Sequence, residues 1–222
     1  MSGAVAIDMA EGRGCLITME GGEGAGKSTQ CRLLSDALAR NGRKVIRTRE
    51  PGGSPGAEEI RRLLVDGNID RWDAMSETFL LLAARRNHVG HMIRPALQRG
   101  DWVVCDRFSD STLAYQGYGH GLDRAMLRDL SARVQDDFAP DATLILDIPI
   151  DVGLARATER DGGEDRYERM DRAFHERLRQ GFLEIARQEP DRCAVIDARA
   201  DMAAVQAAIA AAIVARLPGA LP

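Results

Sequence analysis

An α/β fold, a parallel sheet covered by helices on both faces, is predicted by three observations. Short apolar runs alternate along the 222 residues with stretches of helical periodicity. Several of the runs are apolar throughout, the pattern of strands buried on both faces. Glycine-rich or charged turns stand at their C-terminal ends, where open α/β sheets bind ligands.

The elements follow in order. Residues 15–19 are an apolar run short enough for a buried strand. After a glycine-rich loop, Cys31, Leu33, Leu34, Ala37 and Leu38 recur at helical spacing until Asn41-Gly42 stops the helix. Residues 44–48 read as a second strand running into Arg49-Glu50-Pro51-Gly52-Gly53, a turn signal. Residues 57–65 are helical and end at Gly67-Asn68. Residues 76–98 read as one long helix with an apolar face at Leu80, Leu81, Ala84, Met92, Ile93 and Leu97, kinked near its end by Pro95. The apolar strand 102–105 ends in Asp106-Arg107-Phe108. A helix over 122–137, a strand over 143–147, helices from about 152 and over 171–188, a strand over 194–197 and an alanine-rich helix complete the chain. One domain over 13–222 is expected after a loose tail at 1–12. The single break in composition, polar with Gly162-Gly163 inside, predicts a mobile flap at about 157–169.

The formal net charge of −4 argues against a nucleic-acid coat or a membrane-surface binder. Of 30 basic residues only Lys27 and Lys44 are lysines, so no single arginine carries much weight by type alone. Cys15, Cys31, Cys105 and Cys193 form no C-x-x-C pair. Three of them fall in predicted buried strands, as small apolar residues of a reducing compartment do. Residues 1–12 lack the basic start and apolar stretch of a signal peptide, and no apolar run approaches membrane-spanning length, so a cytoplasmic location is expected.

The stretch Gly21-Gly22-Glu23-Gly24-Ala25-Gly26-Lys27-Ser28 fits the phosphate-cradling pattern G-x-x-x-x-G-K-[ST] at every set position. The plain alternative is a glycine-rich turn in a chain with 22 glycines. A strand before and a helix after argue against it, because that arrangement aims backbone N–H groups and a helix N-terminus at phosphate oxygens. Lys27 is expected at the β- and γ-phosphates and the Ser28 hydroxyl on Mg²⁺. Asp106, at the end of its strand, is the expected acidic partner of the metal. Asp147 is its rival, or else a carboxylate at a strand-to-helix turn. Arg49, Arg61, Arg85 and Arg107 lie on separate elements expected to converge on one cleft, and each has a solvated surface as its ordinary alternative.

At this point the sequence resembles the bacterial thymidylate kinases, from Cys15 to Asp197. The resemblance rests on residues 20–28 (Glu-Gly-Gly-Glu-Gly-Ala-Gly-Lys-Ser), 48–53 (Thr-Arg-Glu-Pro-Gly-Gly), Asp106-Arg107-Phe108 and 110–117 (Asp-Ser-Thr-Leu-Ala-Tyr-Gln-Gly). It implies a three-layer P-loop kinase fold with a five-stranded sheet, usually a homodimer, moving the ATP γ-phosphoryl group to dTMP with Mg²⁺. ATP is expected on Gly21, Gly22, Glu23, Gly24, Ala25, Gly26, Lys27, Ser28 and Thr29, with Ser28 and Asp106 at the metal. Arg49, Glu50, Arg61, Arg85 and Arg107 look like the dTMP side. Arg107 would clamp the acceptor phosphate. Arg85 and Gln116 would address the thymine edge, with Thr112 beside it. Tyr115 resembles the residue packed against the sugar, disfavouring a ribose 2′-OH, and Glu23 one that faces the deoxyribose. The family often has Phe four residues before Arg85, stacked on thymine; Leu81 stands there in this chain, so aliphatic contact replaces stacking, the plain alternative being helix core. Relatives supply a catalytic arginine from the glycine loop or from the flap. Gly22, Glu23, Gly24 and Ala25 offer no cation, so the flap is expected to do so, with Arg156, Arg160 and Arg166 as candidates. Arg160 falls at the catalytic position and Arg166 is the reserve.

Three rival functions are possible for a chain with such a loop. A kinase for another nucleoside monophosphate is disfavoured by Arg85, Thr112 and Gln116. A nucleotide-dependent switch of the GTPase type needs an Asn-Lys-x-Asp guanine-reading motif, and the sequence has none. A DNA-associated ATPase is opposed by the acidic balance and the lack of a basic stripe with interleaved aromatics.

Overall fold

A computed structural model of the chain describes residues 13–65, 71–136, 138–158 and 167–221. The expected tail at 1–12 and most of the expected flap lie outside those residues. Five parallel strands, β1 (Leu16–Gly21), β2 (Val45–Arg49), β3 (Trp102–Asp106), β4 (Ala142–Asp147) and β5 (Cys193–Asp197), lie in the order β2-β3-β1-β4-β5. Each lies within two residues of its predicted bounds. Central β1 is buried at every position, whereas edge strand β2 alternates half-buried with exposed residues. That difference is why β1 is apolar apart from Thr18 and Glu20, while β2 carries Arg47 and Arg49.

Alternation along the strands sorts the core into two faces. Ile17, Met19, Leu144, Leu146 and Ile196 meet Leu34 and Leu38 of α1 (Lys27–Arg40) and Ile209 and Ile213 of α9 (Met202–Arg216). On the other face Leu16, Val103 and Cys105 pack under Val89, Ile93 and Leu97, and Ile145 packs against Leu178, Phe182 and Ile185 of α8 (Arg172–Gln188). Each such side chain withdrawn from water contributes about 1.5–3 kcal/mol before chain entropy is counted.

Two helical regions differ from expectation. The predicted 76–98 helix starts earlier, at Ala74, where the Asp73 carboxylate accepts from the N–H groups of Met75 and Ser76. It also divides into α3 (Ala74–His88), a π-helical turn (Val89–Ile93) and α4 (Arg94–Gln98). Pro95 has no N–H and its ring crowds the carbonyl four residues back, so the chain widens its pitch just ahead of it. The second region is helical where no helix was expected. After α2 (Pro55–Val65), α3 and α4, the chain forms α5 (Ser109–Thr112) and a π-helical segment (Leu113–Gly119) before α6 (Arg124–Gln135), whose cap is Asp123. Gly117 and Gly119 masked this stretch, because glycine disfavours helix in isolation. Two cysteines, Cys105 and Cys193, lie in strands instead of the three expected. Cys31 is buried in α1, Cys15 is partly exposed just ahead of β1, and all four are free thiols. Among the described residues no helix is long and apolar enough to cross a membrane.

Candidate active site

β1 lies between β3 and β4, so the crevice at its carboxyl end is the sheet's switch point. The glycine loop fills it. A Cβ on Gly24 would lie 1.8 Å from the Gly153 carbonyl oxygen of α7 (Ile150–Thr158), and Gly24 has φ +67°, so only glycine lets loop and helix touch there. Gly26 stands at the N-cap of α1 with no side-chain cap, and no acidic residue occupies the first turn. Helices α3, α6, α8 and α9 instead carry capping aspartates, Asp73, Asp123, Asp171 and Asp201. The first turn of α1 is thus left with N–H groups for an anion, and Ser28 and Thr29 are exposed there.

Lys27 is buried and its Nζ donates to the Gly22 carbonyl at 2.7 Å. Burial and the neighbouring Arg107 guanidinium push its ammonium down to about 8 against the pull of Glu23 and Asp106. An incoming phosphate would reverse that shift by adding negative charge. Ser28 Oγ donates to Asp106 Oδ2 at 2.5 Å, so the predicted hydroxyl and carboxylate do meet. Such an oxygen pair fits Mg²⁺, which takes one or two protein oxygens and completes its shell with phosphate and water. Asp147, the rival, accepts from Arg179 Nε and Nη2 at 2.7 and 2.8 Å and is absent from the cavity lining. It is neither a metal candidate nor a turn cap; it ties β4 to α8.

Arg107 holds φ +66°, a costly conformation for a non-glycine residue and one met at ligand clamps. Its Nη1 donates to the Gly21 carbonyl at 3.1 Å and its Nη2 to Glu23 Oε1 at 2.8 Å, and its guanidinium lies 5.0 Å above the Tyr115 ring. The Tyr115 hydroxyl donates to the same Glu23 oxygen at 2.6 Å. Burial pushes the Glu23 carboxyl up, but Arg107, Lys27 and that hydroxyl outweigh it and bring it down to about 2. Behind the loop, fully buried Glu20 accepts from the Phe108 N–H at 2.8 Å and the Ser111 hydroxyl at 2.6 Å. Burial, and Asp110 nearby, raise its carboxyl to about 7.

Arg85 is buried and anchored three ways. Nε donates to Glu50 Oε2 at 2.7 Å, while Nη2 donates to the Phe108 carbonyl at 3.0 Å and to Thr112 Oγ1 at 2.9 Å. The other Glu50 oxygen lies 3.0 Å from His88 Nδ1, and His88 Nε2 lies 2.8 Å from Thr48 Oγ1. Glu50 and Thr112 therefore hold Arg85 in place. Arg85 Nη1 and Gln116 Oε1 are buried with no hydrogen-bond partner. One cavity joins these two residues to Lys27, Ser28, Asp106 and Arg107, and Glu23, Arg49, Glu50, Arg61, Leu81, Thr112 and Tyr115 also line it. Leu81 thus faces the cavity. Arg49 is half-exposed and pairs with Glu58 at 3.1 Å, and Arg61 Nη1 donates to the Pro51 carbonyl.

Sequence reasoning missed Glu77, Tyr167 and His88. The signal for Glu77 was an acid two helical turns before Arg85 on a mostly apolar face. Arg160 and Arg166 lie outside the described residues. Arg156 Nη1 donates to the Ala198 carbonyl at 3.0 Å, and Arg156 is absent from the cavity lining.

Comparison with known proteins adds independent findings. The family model described as thymidylate kinase matches residues 19–209. A thymidylate kinase of Caulobacter vibrioides is 57% identical over 193 residues, covering 87% of this chain and 92% of that protein. One of Afipia carboxidovorans is 50% identical over 213 residues, covering 95% and 93%. The crystal structure of thymidylate kinase from Ehrlichia chaffeensis superposes with a TM-score of 0.71 at 35% identity, covering 90% of this chain and 98% of that one. With the family model spanning most of the chain and half or more of the residues shared with such relatives, this chain belongs to the thymidylate kinase family.

Proposed function

We propose that this chain moves the γ-phosphoryl group of ATP to dTMP, giving dTDP, with Mg²⁺ accompanying the nucleotide. The observation that carries this reading is the pair of unpartnered polar atoms, Arg85 Nη1 and Gln116 Oε1, in the same cavity as the phosphate loop. A donor and an acceptor on residues lining one cavity match the O4 acceptor and N3–H donor of thymine. A buried pair of this kind is costly unless a ligand satisfies it.

The acceptor needs no general base, since a phosphomonoester has a second pKa of about 6 and is ionised near neutrality. The chain's task is to align two polyanions and neutralise charge between them. In this reading residues 21–29 cradle the ATP phosphates and Lys27 contacts the β- and γ-oxygens. Arg107, held by Gly21 and Glu23, meets the acceptor phosphate, and Arg49 and Arg61 add positive charge at the cavity mouth. Glu50 and Thr112 hold Arg85, Leu81 packs on the base, and Tyr115 with Glu23 bounds the sugar. Ser28 and Asp106 would hold Mg²⁺, which when bound supplies positive charge to the phosphate oxygens. Arg160, with Arg166 in reserve, provides the cation on the transferred group. A cytoplasmic homodimer completes the reading; Phe79 of α3 is 55% exposed and Leu63 of the adjoining α2 39%, an apolar pair suited to a second copy.

The test is a coupled ADP-release assay across dTMP, dUMP, AMP, GMP and CMP. The highest kcat/KM is expected with dTMP. A higher value with any other acceptor, or ATP turnover independent of acceptor, overturns the reading.

A further inference from the structure

We propose that Glu77 sets base specificity by locking the Gln116 side-chain amide in the orientation that turns its carbonyl oxygen towards the base. The inference rests on the thymidylate reading above and deepens it.

A glutamine amide has nearly the same shape either way round, so the direction it presents depends on its partners. Gln116 is fully buried on the π-helical segment after α5, and its Nε2 donates to Glu77 Oε1 at 2.7 Å. Glu77 is itself 1% exposed, and the Tyr167 hydroxyl donates to the same oxygen at 2.7 Å. A carboxylate only accepts. Turning the amide over would set its oxygen against an acceptor and forfeit a charge-assisted hydrogen bond between two buried side chains. The Gln116 oxygen is therefore the atom left unpartnered, alongside the donor Arg85 Nη1. Thymine and uracil present the matching edge, O4 as acceptor and N3–H as donor. Cytosine reverses both, with an amino donor at position 4 and a bare acceptor at N3. A pocket with polarity set in this way rejects the reversed edge by leaving buried groups unpaired, a strong form of discrimination. Glu77 is absent from the cavity lining, so it acts through Gln116 as a positioning residue.

The test measures kcat/KM for dTMP, dUMP and dCMP in wild type and Glu77→Gln, whose own side-chain amide accepts either orientation of Gln116. The dTMP/dCMP ratio is expected to fall at least tenfold. The dTMP/dUMP ratio should stay within twofold, since both bases carry the same edge; general distortion of the pocket would move both. In a Gln116→Leu background the same substitution should leave the dTMP/dCMP ratio within twofold. Should Glu77→Gln melt below the assay temperature, Glu77→Met removes the lock equally and is read by the same ratio. An unchanged dTMP/dCMP ratio in a folded Glu77 variant, or an equal further loss in the Gln116→Leu background, overturns the inference. A wild type inactive on dTMP sinks the thymidylate reading instead, and the inference with it.

Discussion

Glutamine at position 50 removes one charge and almost no volume, and the structure says what that charge does. The Glu50 side chain is 5% exposed and the Arg85 side chain 2%, and their contact is 2.7 Å. His88, fully buried, lies 3.0 Å from the second Glu50 oxygen. Breaking a buried ion pair from one side costs about 3–5 kcal/mol, chiefly because the remaining charge stays buried and uncompensated. Glutamine keeps one accepting oxygen, so the lower end, about 3 kcal/mol, is expected for Glu50→Gln. For a chain of this size that lowers Tm by about 6–12 °C. Arg85 also loses the anchor that aims Nη1 into the cavity, so kcat/KM for dTMP should fall on the order of tenfold to a hundredfold, mostly through KM. Scanning calorimetry and the coupled assay read these separately. Asp129→Asn is the control: its i,i+4 partner is Arg133 and both side chains are more than half exposed, so less than about 0.5 kcal/mol is at stake. The pH dependence adds a second readout. Burial pushes the Glu50 carboxyl up, but Arg85 and His88 pull it below its ordinary value of 4.5. Its stabilisation is therefore complete above pH 4.5 and is lost as pH falls through the lower folded-state value, a loss the glutamine variant should not show. A Tm change no larger than that of Asp129→Asn, with unaltered acid sensitivity, would refute the reasoning.

Three further outcomes are expected. Arg160→Ala should lower kcat on the order of a hundredfold with a smaller change in KM for dTMP, as loss of an arginine finger does; steady-state kinetics showing normal kcat there and a crippled Arg166→Ala would transfer the role to Arg166. Glu20, its carboxyl raised to about 7 by burial, favours the folded state in its protonated form, so stability should decline as pH rises from 4.5 to 7. Glu20→Gln should flatten that slope by up to about 3 kcal/mol in urea titrations, and an unchanged slope would remove Glu20 as its source. Phe79→Glu puts a charge on the exposed apolar face of α3 and should shift light-scattering mass from dimer to monomer, while a monomeric wild type would dispose of the homodimer outright.

Much of the fold was readable because its signals are short-range. The apolar run Leu144 to Leu146 of β4, the Gly26-Lys27-Ser28 turn and the helical spacing of Leu34 and Leu38 each depend on neighbours a few residues away. The helix through Gly117 and Gly119 was not readable, because packing overrides the local preference of glycine there. The candidate site was legible to the extent that Lys27, Ser28, Asp106, Arg85, Arg107 and Gln116, all named from the sequence, line a common cavity.

By itself, then, the sequence determined the phosphate loop, the five strands and the residue types at the strand ends, since backbone preference and burial pattern are written locally. Only the tertiary structure decided which charges meet. Glu50 and Arg85 lie 35 residues apart, Glu77 and Gln116 39, and Glu23 and Arg107 84. Asp147 had to be seen against Arg179 before Asp106 stood alone as the partner of Ser28. The physical reason is that an ion pair or an amide orientation depends on the sheet order and on the distance between elements the chain brings together only by folding, and with 34 acidic and 30 basic residues no local rule selects the pairs.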